Sequence, residues 1–427
     1  MYDIFQITDS KFPKDFLWGA STAGHQIEGD NVNSNRYFQE LERPFDPTGV
    51  RVPSGKACNH YNMVDEDIAL MKELELQCYR MSIEWARIEP KENEFCQEAI
   101  DHYLDEIKKV KQAGMQLFLT CVHFTVPQWF EEKGGMANKD NLPYFERFLD
   151  KVVPLYAPYV DAWNVLNEFN LGMGGAYPQK KMNAFRFHAL GYHTIKKYTS
   201  APVSSAHAFV LFDPYRRYDK FDSATADYLD CCCNEFFFHA VRTGELIMPF
   251  EESVYDESFK GTADFWAINI YTRTMVDARM KNADGYKYQH KRFDMVDMPF
   301  YLDEMFPETL IHMLSRLKDK PVYITENGCS CDDDDWRIVF ITLYLNALQE
   351  VMKTGVDVRG FIYWSLMDNY EWTSFKPRFG LIDVDFETFE RKIKPSGYFY
   401  RDIIRQGGVD QALLRKYLKA HPTKAKF

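Results

Sequence analysis

Asn164-Val165-Leu166-Asn167-Glu168 and Tyr323-Ile324-Thr325-Glu326-Asn327-Gly328 are the two stretches on which the reading of this chain turns. Each is a run of apolar or β-branched residues that closes on a glutamate. A buried strand ending this way delivers a carboxylate to the rim of a fold. The two lie too far apart in sequence for local structure to join them. Only a closed architecture brings them together.

Outward from these stretches, short apolar runs alternate with longer amphipathic ones, the pattern of a parallel sheet with crossover helices. The pattern predicts eight strands, over Phe16–Ser21, Gln77–Ile83, Gln116–Val122, Tyr159–Leu166, Pro202–Phe209, Asp264–Tyr271, Val322–Glu326 and Gly360–Ser365. Helices are predicted over Tyr61–Leu74, Ala99–Ala113, Tyr144–Tyr156, Ala184–Tyr198, Ala224–Arg242, Glu304–Leu317 and Trp336–Lys353. Gly114 and Gly355 stand where helix C-termini want a glycine. No Ser/Gly/Pro-rich linker divides the chain. The expectation is an α/β protein: a single (β/α)8 TIM barrel forming one catalytic domain over residues 1–427.

Composition narrows the partners. A formal charge of −12 disfavours nucleic acid and anionic membranes. Met1–Lys11 has no apolar stretch of signal-peptide length, and no segment approaches a membrane span. The nine cysteines then read as free thiols in a reducing compartment, which predicts a cytoplasmic protein. Cys231-Cys232-Cys233 lacks the spacing of a zinc knuckle and reads as buried thiols on a helix. Cys329 and Cys331 flank Ser330 beside the second glutamate and make a metal there only a minor alternative; neither metal nor cofactor is expected. Aromatics are 16% of the chain, mostly for packing, with some left to serve as platforms for sugar rings.

The strand ends are more telling. Gln26 and Glu28 follow the first predicted strand, Arg80 and Glu84 mark the second, His123 the third and Asn167-Glu168 the fourth. His207 lies on the fifth, Asn269 and Tyr271 close the sixth, and Glu326 the seventh. Trp364, Asp368, Glu371 and Trp372 follow the eighth. A barrel gathers its strand C-termini at one mouth, where reacting groups sit. Two carboxylates facing each other there suffice to cleave a glycosidic bond.

At this point the chain resembles glycoside hydrolase family 1, the β-glucosidase/β-galactosidase family, over nearly its whole length. The resemblance rests on Phe12–Gly29, on Tyr79–Ile88, on Asn167-Glu168, on Ile324–Gly328, and on Trp364–Trp372 followed by Arg378-Phe379-Gly380-Leu381. It implies a retaining, exo-acting β-glycosidase that takes a small β-glycoside or oligosaccharide. Glu168 would be the general acid/base and Glu326 the nucleophile, with carboxyls about 5–5.5 Å apart. Glu168 should then have a raised pKa, partly from the charge of Glu326. By the same resemblance Arg80 and Tyr271 hydrogen-bond the nucleophile and Asn167 meets the sugar 2-hydroxyl. Gln26, His123, Glu371 and Trp372 would touch the remaining ring positions, and Trp364 would form the stacking floor. An ionised Glu371 would repel a 6-phosphate. Arg80 read in isolation could instead pair with Glu84.

The chain departs from the family's pattern in three places. Asn167-Glu168-Phe169 replaces the usual Asn-Glu-Pro, Phe124 replaces a tryptophan, and Thr373–Pro377 lacks a usual glycine. None removes a catalytic group, but all three leave the aglycone side open. Transglycosylation is chemically permitted by the same apparatus. A glycan-binding relative without activity would be expected to lose one of the glutamates, and both are present.

Overall fold

The computed structural model describes residues 4–7, 9–42, 51–171, 178–279, 295–296 and 303–422. Eight parallel strands close on themselves: β1 Leu17–Ser21, β2 Cys78–Ser82, β3 Gln116–Val122, β4 Ala162–Asn167, β5 Val203–Ala208, β6 Trp266–Asn269, β7 Val322–Asn327 and β8 Val358–Trp364. Each pairs with its sequence neighbour, and β8 returns to β1 with Gly360–Trp364 in register with Leu17–Ser21. Leu17, Cys78, Phe118, Ala162, Ala206 and Ile362, among others, fill the barrel floor. The larger core, including Trp163, Val165, Phe236 and Leu345, lies between the strands and the surrounding helices.

The crossovers are α1 Val64–Glu73, α2 Gln97–Gln112, α3 Leu142–Tyr156, α4 Pro178–Lys196, α5 Lys220–Asp230 with α6 Phe236–Thr243, α7 Glu308–Leu314, and α8 Asp334–Lys353; α9 Pro395–Gln406 follows β8. Gly114 and Gly355 end α2 and α8 with φ of 86° and 91°, as their positions predicted. Asp333 caps α8 by accepting from the amide of Asp335.

The helix predicted from Ala184 already begins at Pro178, and two other predicted helices differ for identifiable reasons. The run over 224–242 is interrupted by a π-helical turn at Cys231–Glu235. There the carbonyls of Cys232 and Cys233 accept from Lys181 Nζ (3.1 Å) and Asn170 Nδ2 (2.9 Å), which draws them out of the regular ladder. The helix predicted from Glu304 begins only at Glu308, behind Pro307. Among the described residues, no helix is long and apolar enough to cross a membrane.

Candidate active site

Three strands bring the two glutamates together. β4 ends on Asn167 with Glu168 next, β7 carries Glu326, and β2 carries Arg80 from the opposite wall. Bulges interrupt the register between Asn164 and Asn167 and between Ile268 and Asn269, turning the last side chains of β4 and β6 into the mouth. Glu168 itself has φ 46°, a left-handed conformation that β-branched residues avoid.

Arg80, wholly buried, donates from Nη1 to Glu326 Oε1 and from Nη2 to Asn167 Oδ1, the latter at 2.6 Å. Tyr271 donates its hydroxyl to the other Glu326 oxygen at 2.8 Å. Glu326 thus accepts on both oxygens, one bond being charge-assisted. Asn269 Nδ2 lies 3.0 Å from both Asn167 Oδ1 and Glu168 Oε1, so one amide links the two strand ends. Thr325 fixes that amide by donating to Asn269 Oδ1 at 2.7 Å.

The environments of the two acids differ. Enclosure at the mouth, and then the charge of Glu326, push the Glu168 carboxyl up to about 8; Asn269 and Arg80 only partly offset this. Desolvation is the larger cause, where the expectation above had named the partner's charge. Burial, helped by Glu326, lifts Glu371 to about 8 as well, despite hydrogen bonds from Trp364, Asn369 and Gln26. The same burial favours the protonated form of Glu371 in the unliganded site, against the carboxylate read from the sequence. Burial and the nearby Arg80 drive the His123 imidazole well below its usual range, so it is neutral.

Around the acids lie the remaining expected contacts. Asn167 Nδ2 is 3.1 Å from His123 Nε2. His123 runs nearly parallel to Trp364 (17°) and Trp372 (16°), with ring centres about 6 Å apart. Trp364 Nε1 donates to Glu371 at 3.3 Å. Gln26 donates to Asn369 Oδ1 and to the Tyr370 carbonyl, at 2.9 and 3.0 Å. Its Oε1 and His123 Nδ1 are buried without a protein partner among the described residues. A sugar hydroxyl would supply what each is missing.

Not every strand-end residue belongs here. Glu84 accepts from Thr125, Asn31 and the His25 amide, so it is not the partner of Arg80. Glu28 is held by Arg87 and Tyr103, and Asp368 by Lys394 and the Gly380 amide. These acids brace the loops beneath the mouth. His207 faces the helix layer, where it stacks on Phe237. Asn269 and Asn369 were not among the predicted site residues. The first stood visibly at a strand end; the second supports Gln26 from behind, and nothing in the sequence marks it.

Two acids held side by side at the mouth of a closed parallel barrel, ringed by amides, an imidazole and tryptophans, define a glycoside hydrolase. The profile of Glycosyl hydrolase family 1 matches residues 8–409. A β-glycosidase structure from Pyrococcus horikoshii superposes with a TM-score of 0.86 at 32% identity, covering 96% of this chain and 98% of that one. A 1,4-β-D-glucan glucohydrolase of Thermotoga neapolitana is 27% identical over 93% of this chain and 99% of its own length. A 6-phospho-β-glucosidase of Bacillus subtilis is 26% identical over 93% of this chain and 98% of its own. The chain belongs to glycosyl hydrolase family 1, and it is a β-glycosidase.

Proposed function

We propose that this chain hydrolyses terminal β-D-glucosides, β-D-galactosides or both by double displacement, with retention of configuration. The observation that carries the reading is the contrast between its acids: Glu326 accepts from Arg80 and Tyr271, while Glu168 is pushed up to about 8. In the first step Glu326 attacks the anomeric carbon as Glu168 gives its proton to the departing oxygen. In the second, water attacks the same carbon, Glu168 takes the water's proton, and the bond to Glu326 breaks. Arg80 and Tyr271 hold the nucleophile. Asn167 meets the 2-hydroxyl, Gln26, His123, Glu371 and Trp372 read the other hydroxyls, and Trp364 underlies the ring.

A terminal sugar without phosphate suits this site better than a 6-phosphorylated one. A phosphate beside Glu371 would hold that carboxyl protonated or repel its ionised form, and Trp372–Pro377 offers one cation, Lys376. The whole chain is read as one cofactor-free catalytic domain acting on small β-glycosides in cytoplasmic carbohydrate metabolism. Turnover on a panel of nitrophenyl β-glycosides, with the first-formed anomer followed by NMR, tests the reading. We expect β-anomer first, and glucoside and galactoside kcat/KM within about two orders of magnitude. An α-anomer as first product, or a clear preference for the 6-phosphate, would overturn the mechanism or the specificity respectively.

A further inference from the structure

Cys329 and Cys331 take no part in the chemistry above, yet they lie on the segment leaving β7, just past Glu326. Their sulfurs are 3.9 Å apart, and both thiols are reduced and buried, 3% and 5% exposed. The Arg337 guanidinium grips the backbone on either side, donating to the Cys329 carbonyl at 2.6 Å and the Cys331 carbonyl at 3.2 Å. Between them, Ser330 Oγ accepts from the Arg378 amide at 2.8 Å. The pair is thus held facing, on a backbone fixed at both ends.

Two further facts bear on reactivity. Cys331, but not Cys329, lines a cavity of about 410 Å³ walled by Arg337, Arg378 and Lys394 and also by Asp332, Asp334, Asp368 and Asp383, so a small reagent reaches it before Cys329. A hydrogen bond from Cys329, and then the Arg337 charge, lower the Cys331 thiol against the opposing effects of burial and the Asp334 charge. Among the described residues, no group of three or more His, Cys, Asp or Glu is placed to hold a metal ion.

We propose that Cys329 and Cys331 form a reversible disulfide in response to hydrogen peroxide, and that closing it lowers turnover by displacing Glu326. The Cys331 thiolate attacks one peroxide oxygen, the O–O bond breaks, and the hydroxide released leaves as water on taking a proton. Cys329 then attacks the Cys331 sulfenic sulfur, the S–O bond breaks, and a second water leaves. Overall, two thiols lose two electrons and two protons to one peroxide. Bonding distance, about 2 Å, draws the sulfurs well inside their present separation. The backbone at Gly328 has little room to absorb that movement: a Cβ added there would lie 1.7 Å from the Trp364 carbonyl oxygen. The shift passes instead along the chain to Glu326. So small a ring is readily reduced again.

The test exposes the full-length enzyme to hydrogen peroxide, blocks remaining thiols with an alkylating agent, and maps the tryptic peptide Asp319–Arg337, which carries both cysteines. We expect that peptide to lose two hydrogens and resist alkylation. Turnover of a nitrophenyl β-glucoside should fall about ten-fold or more in kcat, with KM little changed, since small misplacements of reacting groups are costly. A phosphine reductant should restore it. C329S and C331S should match the reduced wild type and lose the peroxide response. Two alkylated thiols after treatment, or equal inactivation of both variants, would overturn the proposal; a cross-link with unchanged turnover would overturn its effect on Glu326. Peptide mapping reads the disulfide even if no glycoside is turned over, so failure here and failure of the functional reading are distinguishable.

Discussion

At the scale of single residues, one guanidinium serves two of the site's acids: Arg80 donates to Glu326 and its charge is felt by Glu168, while Glu371 lies beside Trp364. Glu326→Ala removes the group that Arg80 and Tyr271 hold, at a strand end and not in the core. Hydrolysis should be abolished with the fold intact, and added azide should restore part of it and yield the α-glycosyl azide. Substantial turnover without azide would refute the assignment. The general acid proposed here, Glu168, would act only while protonated, so kcat/KM should decline as pH rises through about 8. Glu168→Gln should remove that limb and harm alkyl glycosides far more than dinitrophenyl ones, whose leaving groups need no proton. Equal losses on both substrates would point to a binding role instead. Glu371→Ser should narrow the gap between glucoside and 6-phosphoglucoside, read as the ratio of their kcat/KM values.

At the scale of elements, the junctions after the strands decide the geometry. Phe124, Glu168 and Trp372 each follow a predicted sugar or catalytic contact, and each is left-handed, with φ of 65°, 46° and 59°. Such positions cost roughly 1–3 kcal/mol in a residue other than glycine, and they gather at active sites. A reading by residue type cannot find them, because glycine is the usual sign and none of the three is glycine. The bulge before Asn167 leaves no mark in the sequence for a related reason: it depends on a neighbouring strand. What was legible was periodic and local. β3 was read with its observed ends, because Gly114 marks the turn before it. The start of β4 was read too early, at Tyr159; Asp161 instead accepts from Lys111 and the Leu117 amide. Arg80, His123, Asn167 and Tyr271 were legible as strand ends, whereas Asn369 works through tertiary contact alone. Gly328→Ala tests the junction after β7: with its Cβ 1.7 Å from the Trp364 carbonyl oxygen, the variant should lose roughly 3 kcal/mol or more, measured as a lowered urea midpoint.

At the scale of the molecule, burying acids ties stability to pH. Burial and the charge of Glu28 push Glu84 up to about 8, alongside Glu168 and Glu371. Each binds its proton more tightly folded than unfolded. This contribution is therefore complete below the ordinary carboxylate value of 4.5 and is lost as pH rises through about 8. Across that window the three groups together make stability decline as pH rises. Urea midpoints measured from about pH 5 to 8 should show that decline, and Glu84→Gln should make it shallower; an unchanged slope would mean Glu84 ionises freely. The barrel seam has a different consequence. β1 finds its second neighbour only in β8, and Tyr400 of α9 then straps the two by donating to the carbonyls of Gly19 and Phe361, at 2.9 and 3.1 Å. On the ribosome, Leu17–Ser21 must wait with one edge unpaired until nearly the whole chain has been made. Nascent chains stalled before Val358 therefore present two open sheet edges, and they are the species a chaperone would be called on to shield.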